Sequence, residues 1–167
     1  ADASDVFFVT QRPRFHESPS VLVAVEEALK QAGASLDEIS YFDFYSCFPS
    51  APRITQRMLN LPEDDPRPLT VTGGMPYFGG PGNNYSLHAT CRLVELLRKE
   101  PQCFGMVQAL SWYISKHSVG VYSGTRGSRP WIPVEPEVYH RELEQIVGPE
   151  MVVEADGKAC VETYTVI

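Results

Sequence analysis

The 167-residue chain has few groups suited to holding a metal or a disulfide framework. Its four cysteines, Cys47, Cys91, Cys103 and Cys160, are scattered and form no Cys-x-x-Cys pair. That pattern argues against a zinc site and for a reducing compartment, expected here to be the cytoplasm. Basic blocks are absent too: 14 Lys and Arg stand against 21 Asp and Glu, a formal charge of −7. A nucleic-acid partner is therefore not expected. No apolar run reaches the roughly 20 residues that a bilayer-spanning helix needs, and no signal-peptide pattern is seen. The glycine-rich stretch lacks a Gly-Lys-Ser/Thr ending, which argues against a P-loop. With 43% hydrophobic residues, the chain is long enough for one ordinary core.

Most of the unusual chemistry lies in residues 69–90, Leu-Thr-Val-Thr-Gly-Gly-Met-Pro-Tyr-Phe-Gly-Gly-Pro-Gly-Asn-Asn-Tyr-Ser-Leu-His-Ala-Thr. Residues 69–72 read as a short buried strand. Five glycines and two prolines then carry a loop that few other residue types could follow. A helix is expected from Asn83 or Asn84, either of which suits the N-cap. Leu87, Cys91, Val94 and Leu97 recur on its apolar face. Strand, loop and helix start would aim backbone N–H groups at one spot, suited to a phosphate, a carboxylate or a developing oxyanion. A tight turn without a ligand is the other reading.

The remaining pattern alternates strands and helices. Residues 6–10 read as a short strand or an extended lead-in. Ser18-Pro19 gives an N-cap and a first-turn proline to a helix that Gly33 ends. The apolar run 41–45 reads as a strand covered on both faces. A second helix follows from residue 50 to about 59, with Pro52 in its first turn. The helix after the glycine loop ends near Lys99. Residues 104–111 and 118–123 read as an antiparallel pair, because their connection is too short for a parallel crossover. Residues 124–130 form a linker candidate, and residues 137–146 a short helix. Asp156-Gly157 signals a hairpin between strands at 151–154 and 159–166. That hairpin is expected to begin a small β domain, 131–167, that is cut short.

The order of elements, with Tyr45-Ser46-Cys47-Phe48-Pro49-Ser50-Ala51 after the second strand and Gly-Gly-x4-Gly-Gly-Pro-Gly in the loop, resembles the C-terminal half of the thiolase superfamily. The branch most similar is that of thiolase-like proteins type 1 and acetyl-CoA acetyltransferases. It shares segments like residues 69–89 and Ser111-Trp-Tyr-Ile-Ser-Lys-His117. The resemblance implies an α/β fold: a thiolase-like C-terminal half, 1–123, with a mixed sheet, packed helices and the truncated β domain behind it. It also implies an acyl-CoA partner, a CoA thioester as substrate with no other cofactor, and a missing N-terminal half carrying the acyl-accepting cysteine. A homo-oligomeric assembly is left open.

Three family motifs fall on this chain with substitutions. Tyr45 stands where an oxyanion-binding Asn or His is usual. Gly79-Gly80-Pro81 stands where Gly-His-Pro carries the activating histidine. Ser111, Trp112 and Tyr113 stand near the place of a Cys-x-Gly motif. The candidate proton-handling residues are therefore His88, His117, Cys47, Tyr45 and Ser111. Gly79, Gly80, Gly82, Asn83 and Asn84 are the candidate substrate-binding residues. His88 and His117 also read as ordinary structural histidines, and Cys47 as a small buried hydrophobe. The expected function is thiolase-type acyl transfer, with this chain inactive alone. The alternative is a CoA-thioester-binding scaffold without the chemistry.

Overall fold

The computed structural model of the chain describes residues 1–127, 130, 132, 134–150, 152–161 and 164. Strands β1 (Asp2–Ser4), β2 (Ile39–Phe44), β3 (Phe104–Ser111) and β4 (Lys116–Ser123) form one sheet in the order β1-β4-β3-β2. The sheet is mixed: β2 and β3 run parallel, while β4 runs antiparallel to both β3 and β1. The parallel pair needs a crossover, supplied by helices α2 (Ser50–Met58), α3 (Met75–Phe78) and α4 (Tyr85–Lys99) with the glycine loop between them.

Helices cover both faces. From α1 (Pro19–Ala32), Val21, Val25 and Leu29 pack against Ile39, Phe42, Phe44 and Met106. From α4, Ala89, Leu93 and Leu97 pack on the opposite side with Val107. Met106 and Val107 are consecutive and serve opposite faces, as the two-residue period of a central strand requires. Gly105 shares the face of Val107 and lies under α4. A Cβ at Gly105 would stand 2.4 Å from Leu93 Cδ1, so the missing side chain lets the helix lie close on the sheet.

The ends of α1 follow the sequence, with one exception. Pro19 opens the helix and Gly33, at φ 69°, closes it in the left-handed conformation. Ser18 occupies the cap position, but its hydroxyl makes no cap bond. It is turned instead toward Asp5 and His117.

Several local expectations are corrected. The strand expected at 69–72 is reduced to a single antiparallel bridge between Asp43 and Thr70. The ladder stops there because the Asp43 carboxylate takes both the N–H and the hydroxyl of Thr72. Neither Asn83 nor Asn84 caps α4 with its side chain, since a one-turn 3-10 helix, Gly82–Asn84, feeds directly into it. The buried stripe of α4 is Tyr85, Ala89, Leu93 and Leu97, while Leu87 is 60% exposed and Cys91 is also exposed. The first strand lies at Asp2–Ser4, and Val9–Gln11 forms a 3-10 turn in place of an extended segment.

Helix α5 (Pro136–Glu144) returns to the sheet, with Tyr139 and Leu143 packed on the core that α1 covers. Tyr139 Oη accepts the N–H of Asp2 at 3.4 Å, and His140 Nε2 lies 3.2 Å from the carbonyl of Asp2. These contacts cover the edge strand β1. Residues 152–161 form no strand, and residues 151, 162, 163 and 165–167 lie outside the described residues. The hairpin expected around Asp156-Gly157 thus has no ladder among the described residues. No helix among the described residues is long and apolar enough to cross a membrane.

Candidate functional site

The site begins with one charged residue inside an apolar strand. Asp43 is fully buried in β2, between Phe42 and Phe44 in the sequence. A carboxylate removed from water must find donors. Thr72 provides its N–H at 3.0 Å and its hydroxyl at 2.8 Å, and Tyr85 provides its hydroxyl at 3.2 Å. Burial nonetheless raises the Asp43 pKa above its ordinary value, with the bonds from Thr72 and Tyr85 pulling the other way. The Tyr85 hydroxyl also lies 3.3 Å from Ser46 Oγ and 3.1 Å from Thr72 Oγ1. Asp43, Ser46, Thr72 and Tyr85 therefore tie the end of β2, the loop and the first residue of α4 into one polar cluster.

That cluster sets the path of the glycine loop. Ser46 Oγ accepts the N–H of Met75 at 3.0 Å, and Thr72 Oγ1 accepts the N–H of Gly74 at 3.2 Å. Gly73 and Gly74 both have φ 85°, in the region that disfavours a side chain. Of the three glycines expected to bind substrate, Gly79 and Gly82 have positive φ, and Gly80 does not. The expectation that many loop N–H groups converge on one spot is corrected. Those of Gly74 and Met75 are held by hydroxyls, and those of Gly79, Gly82 and Asn84 by loop carbonyls. The N–H of Gly80 has no hydrogen-bond partner among the described residues. Asn83 and Asn84 are exposed nearby in the chain.

The five candidate proton-handling residues do not gather in one place. Tyr45 and Cys47 flank Ser46 at the end of β2. The Tyr45 ring meets the Tyr85 ring edge-on, with centroids 4.9 Å apart. Burial first, and the neighbouring Cys47 second, raise the Tyr45 pKa, so its phenol stays a donor. Burial also raises the Cys47 thiol, against N–H bonds from Phe48 and from Cys47 itself. Cys47 has no base hydrogen-bonded to it among the described residues, and it is held as a thiol. His88, four residues into α4, meets the Phe78 ring edge-on with centroids 5.0 Å apart. Its Nδ1 is buried without a partner among the described residues.

His117 belongs to a different network. Gln108 Oε1 accepts the N–H of Tyr45 at 3.2 Å, which turns Gln108 Nε2 toward His117 Nδ1 at 2.8 Å. Nδ1 is therefore an acceptor, and Nε2 carries the proton to Ser18 Oγ at 2.8 Å. Ser18 in turn donates to Asp5. Burial pushes the His117 pKa down to about 4, only partly opposed by the charge of Asp5. The ring is neutral, and among the described residues it reaches the glycine loop only through Gln108 and the backbone of Tyr45. Ser111 is exposed at the end of β3, where its carbonyl accepts the N–H of Ser115 at 3.3 Å. Sequence reasoning passed over Asp43, Ser46, Thr72 and Tyr85. The signal for Asp43 was a lone carboxylate within an otherwise apolar strand.

A mixed sheet with helices on both faces, and a glycine loop beside the end of a parallel strand, define a layered α/β fold. The fold matches the crystal structure of a monomeric SCP2-thiolase-like protein type 1 from Mycobacterium smegmatis, with a TM-score of 0.85 and 38% identity. The match covers 94% of this chain and 34% of that one, so the chain spans about a third of its length. No family model matches the chain, and no curated protein matches it. Fold and sequence together place the chain in the thiolase-like superfamily.

Proposed function

We propose that this chain forms the carbonyl-positioning part of a thiolase-type acyl-CoA acyltransferase site, with the acyl-accepting nucleophile supplied by polypeptide outside these 167 residues. The observation that carries this reading is the polar cluster of Asp43, Ser46, Thr72 and Tyr85. It holds the glycine loop against the end of β2; the neutral Tyr45 phenol follows that strand in the chain, and the loop itself carries the open N–H of Gly80. Fixed donors of this kind stabilise a thioester oxygen as it gains charge. Asn83 and Asn84 would meet the pantetheine end, and His88, with its unpartnered Nδ1, would move the proton. The apolar surface around the loop, with Tyr77 86% exposed and Leu87 60% exposed, is where the remaining polypeptide would pack.

A second reading, a CoA-thioester-binding scaffold without transfer, draws support from two residues. Gly80 takes the place of the resembled family's activating histidine, and no base pairs with Cys47 among the described residues. Calorimetric titration of the chain with acetyl-CoA tests what the two readings share. Tyr45→Phe, which removes only the phenolic donor, is expected to weaken binding several-fold. Unchanged affinity in Tyr45→Phe would overturn the carbonyl-positioning role. Acyl exchange by the full reading frame that encodes this chain separates the two. Exchange reduced by His88→Ala supports the acyltransferase, and an inactive protein that still binds supports the scaffold.

A further inference from the structure

Helix α2 contains no acidic residue, yet it places Arg53 and Arg57 four residues apart on one face. Like charges at that spacing repel. Neither makes an ion pair among the described residues, and Arg53 Nη1 donates only to the neutral amide of Gln56, at 2.7 Å. Both line a cavity of about 500 Å³ between α2, the segment before α1 and the β3–β4 turn. Arg12 and His16 line the same cavity, and no carboxylate does. Glu17 stands 3.7 Å from His16 Nε2 but outside the lining. In a chain of net charge −7, three arginines on one lining without a carboxylate point to an anion.

Arg12 adds an independent observation. It is 4% exposed, and its Nη2 donates to the carbonyls of Tyr113 at 3.1 Å and Ile114 at 2.8 Å. Its Nε is buried with no partner among the described residues. These bonds fix the turn, where Ile114 adopts φ 57°, and hold Tyr113 at the cavity wall. Tyr113 is 57% exposed, with the Phe7 ring edge-on to its own at a centroid separation of 5.6 Å. Guanidinium forks match phosphate oxygens in two-point contacts, and an open aromatic ring is a stacking platform for a base. The volume falls within the usual range for small-molecule sites, roughly 300–1,000 Å³.

We propose that this cavity binds a nucleoside diphosphate moiety, with the phosphates on Arg53 and Arg57 and the ring on Tyr113. The assignment uses no residue of the glycine loop and stands apart from the acyl-transfer reading. Titrating the 167-residue chain with ADP, inorganic pyrophosphate and adenosine tests it. ADP is expected to bind, and Arg53→Gln/Arg57→Gln to weaken it at least tenfold. Tyr113→Leu is expected to weaken ADP while leaving pyrophosphate unchanged, and Arg98→Gln on α4 to change neither. Arg53, Arg57 and Arg98 are exposed, so melting temperatures close to that of the parent chain are expected to show that these variants fold. ADP affinity equal in the parent and the double variant overturns the proposal. So does adenosine binding as tightly as ADP, or pyrophosphate binding as tightly as ADP with no effect of Tyr113→Leu.

Discussion

Ser46 Oγ accepts the N–H of Met75 at 3.0 Å, and that bond joins the end of β2 to the start of α3. It fits because Gly74 has no side chain: a Cβ there would stand 2.8 Å from the same oxygen. The φ of Gly74, 85°, adds backbone strain to any substitution. Gly74→Ala is expected to cost about 1–3 kcal/mol, and Ser46→Ala about 1 kcal/mol. Because Ser46→Ala removes the clashing atom, the double variant is expected to lose less than the sum of the two. Urea unfolding measures all three, and strict additivity would contradict the contact.

Gly105 and Leu93 form a second such pair. Gly105→Ala forces a methyl into the buried Leu93 side chain and is expected to cost about 1–3 kcal/mol. Leu93→Ala empties the same space and is expected to cost about 2–5 kcal/mol. Combined, the new methyl partly fills the gap, so thermal unfolding is expected to show the double variant more stable than Leu93→Ala alone. A double variant less stable than either single one would show that α4 does not rest on Gly105.

Removing the Asp43 carboxylate leaves the Thr72 N–H and the Tyr85 hydroxyl short of a buried acceptor. Asp43→Ala is expected to destabilise by upwards of about 2 kcal/mol, since each buried unsatisfied group costs about 1–3 kcal/mol. Asp43→Asn, which keeps one acceptor oxygen and adds no charge to bury, is expected to cost less. Denaturant midpoints for the two variants give the order, and the reverse order would contradict the account of the cluster.

His117 makes stability depend on pH. Its folded pKa of about 4 lies below the ordinary histidine value of 6.5, so between the two the unfolded chain binds more protons. Its contribution is complete above about pH 6.5 and is lost as pH falls toward 4. The gap between the folded and unfolded values corresponds to a loss on the order of 3 kcal/mol. His117→Gln is expected to be less stable at pH 7 and to show a flatter decline between pH 6.5 and 4. A parent and variant that decline in parallel would contradict the neutral, buried imidazole.

Much of the frame was legible because its signals are local. Pro19 and Gly33 bound α1, Lys99 ends α4, and the short connection after Ser111 dictates an antiparallel β3–β4 pair. What was not legible depends on residues far apart in the chain. In α4, Leu87-Cys91-Val94 and Tyr85-Ala89-Leu93 both make apolar stripes at helical spacing. Gly105 selects the second by opening the sheet beneath Leu93. The strand at 69–72 is sound by composition, but Asp43 draws away the donors of Thr72. At the site, the glycine loop was readable as a special backbone. The hydroxyls that hold it, Ser46, Thr72 and Tyr85, were hidden because ordinary polar residues give no local sign of converging. His117 was a natural candidate by residue type, but its partners Ser18 and Gln108, and Asp5 behind Ser18, come from three other parts of the chain.

We propose that these 167 residues position a thioester carbonyl and that Cys47 is not an activated nucleophile. Covalent acyl transfer needs a nucleophile with a base within hydrogen-bond reach, and Cys47 is held as a thiol without one among the described residues. The direct measurement is acyl exchange and thioester cleavage on acetyl-CoA by the isolated chain and by its Cys47→Ala variant. The expected result is binding without turnover, identical in both. Turnover by the chain that disappears in Cys47→Ala would contradict the account and make Cys47 the nucleophile.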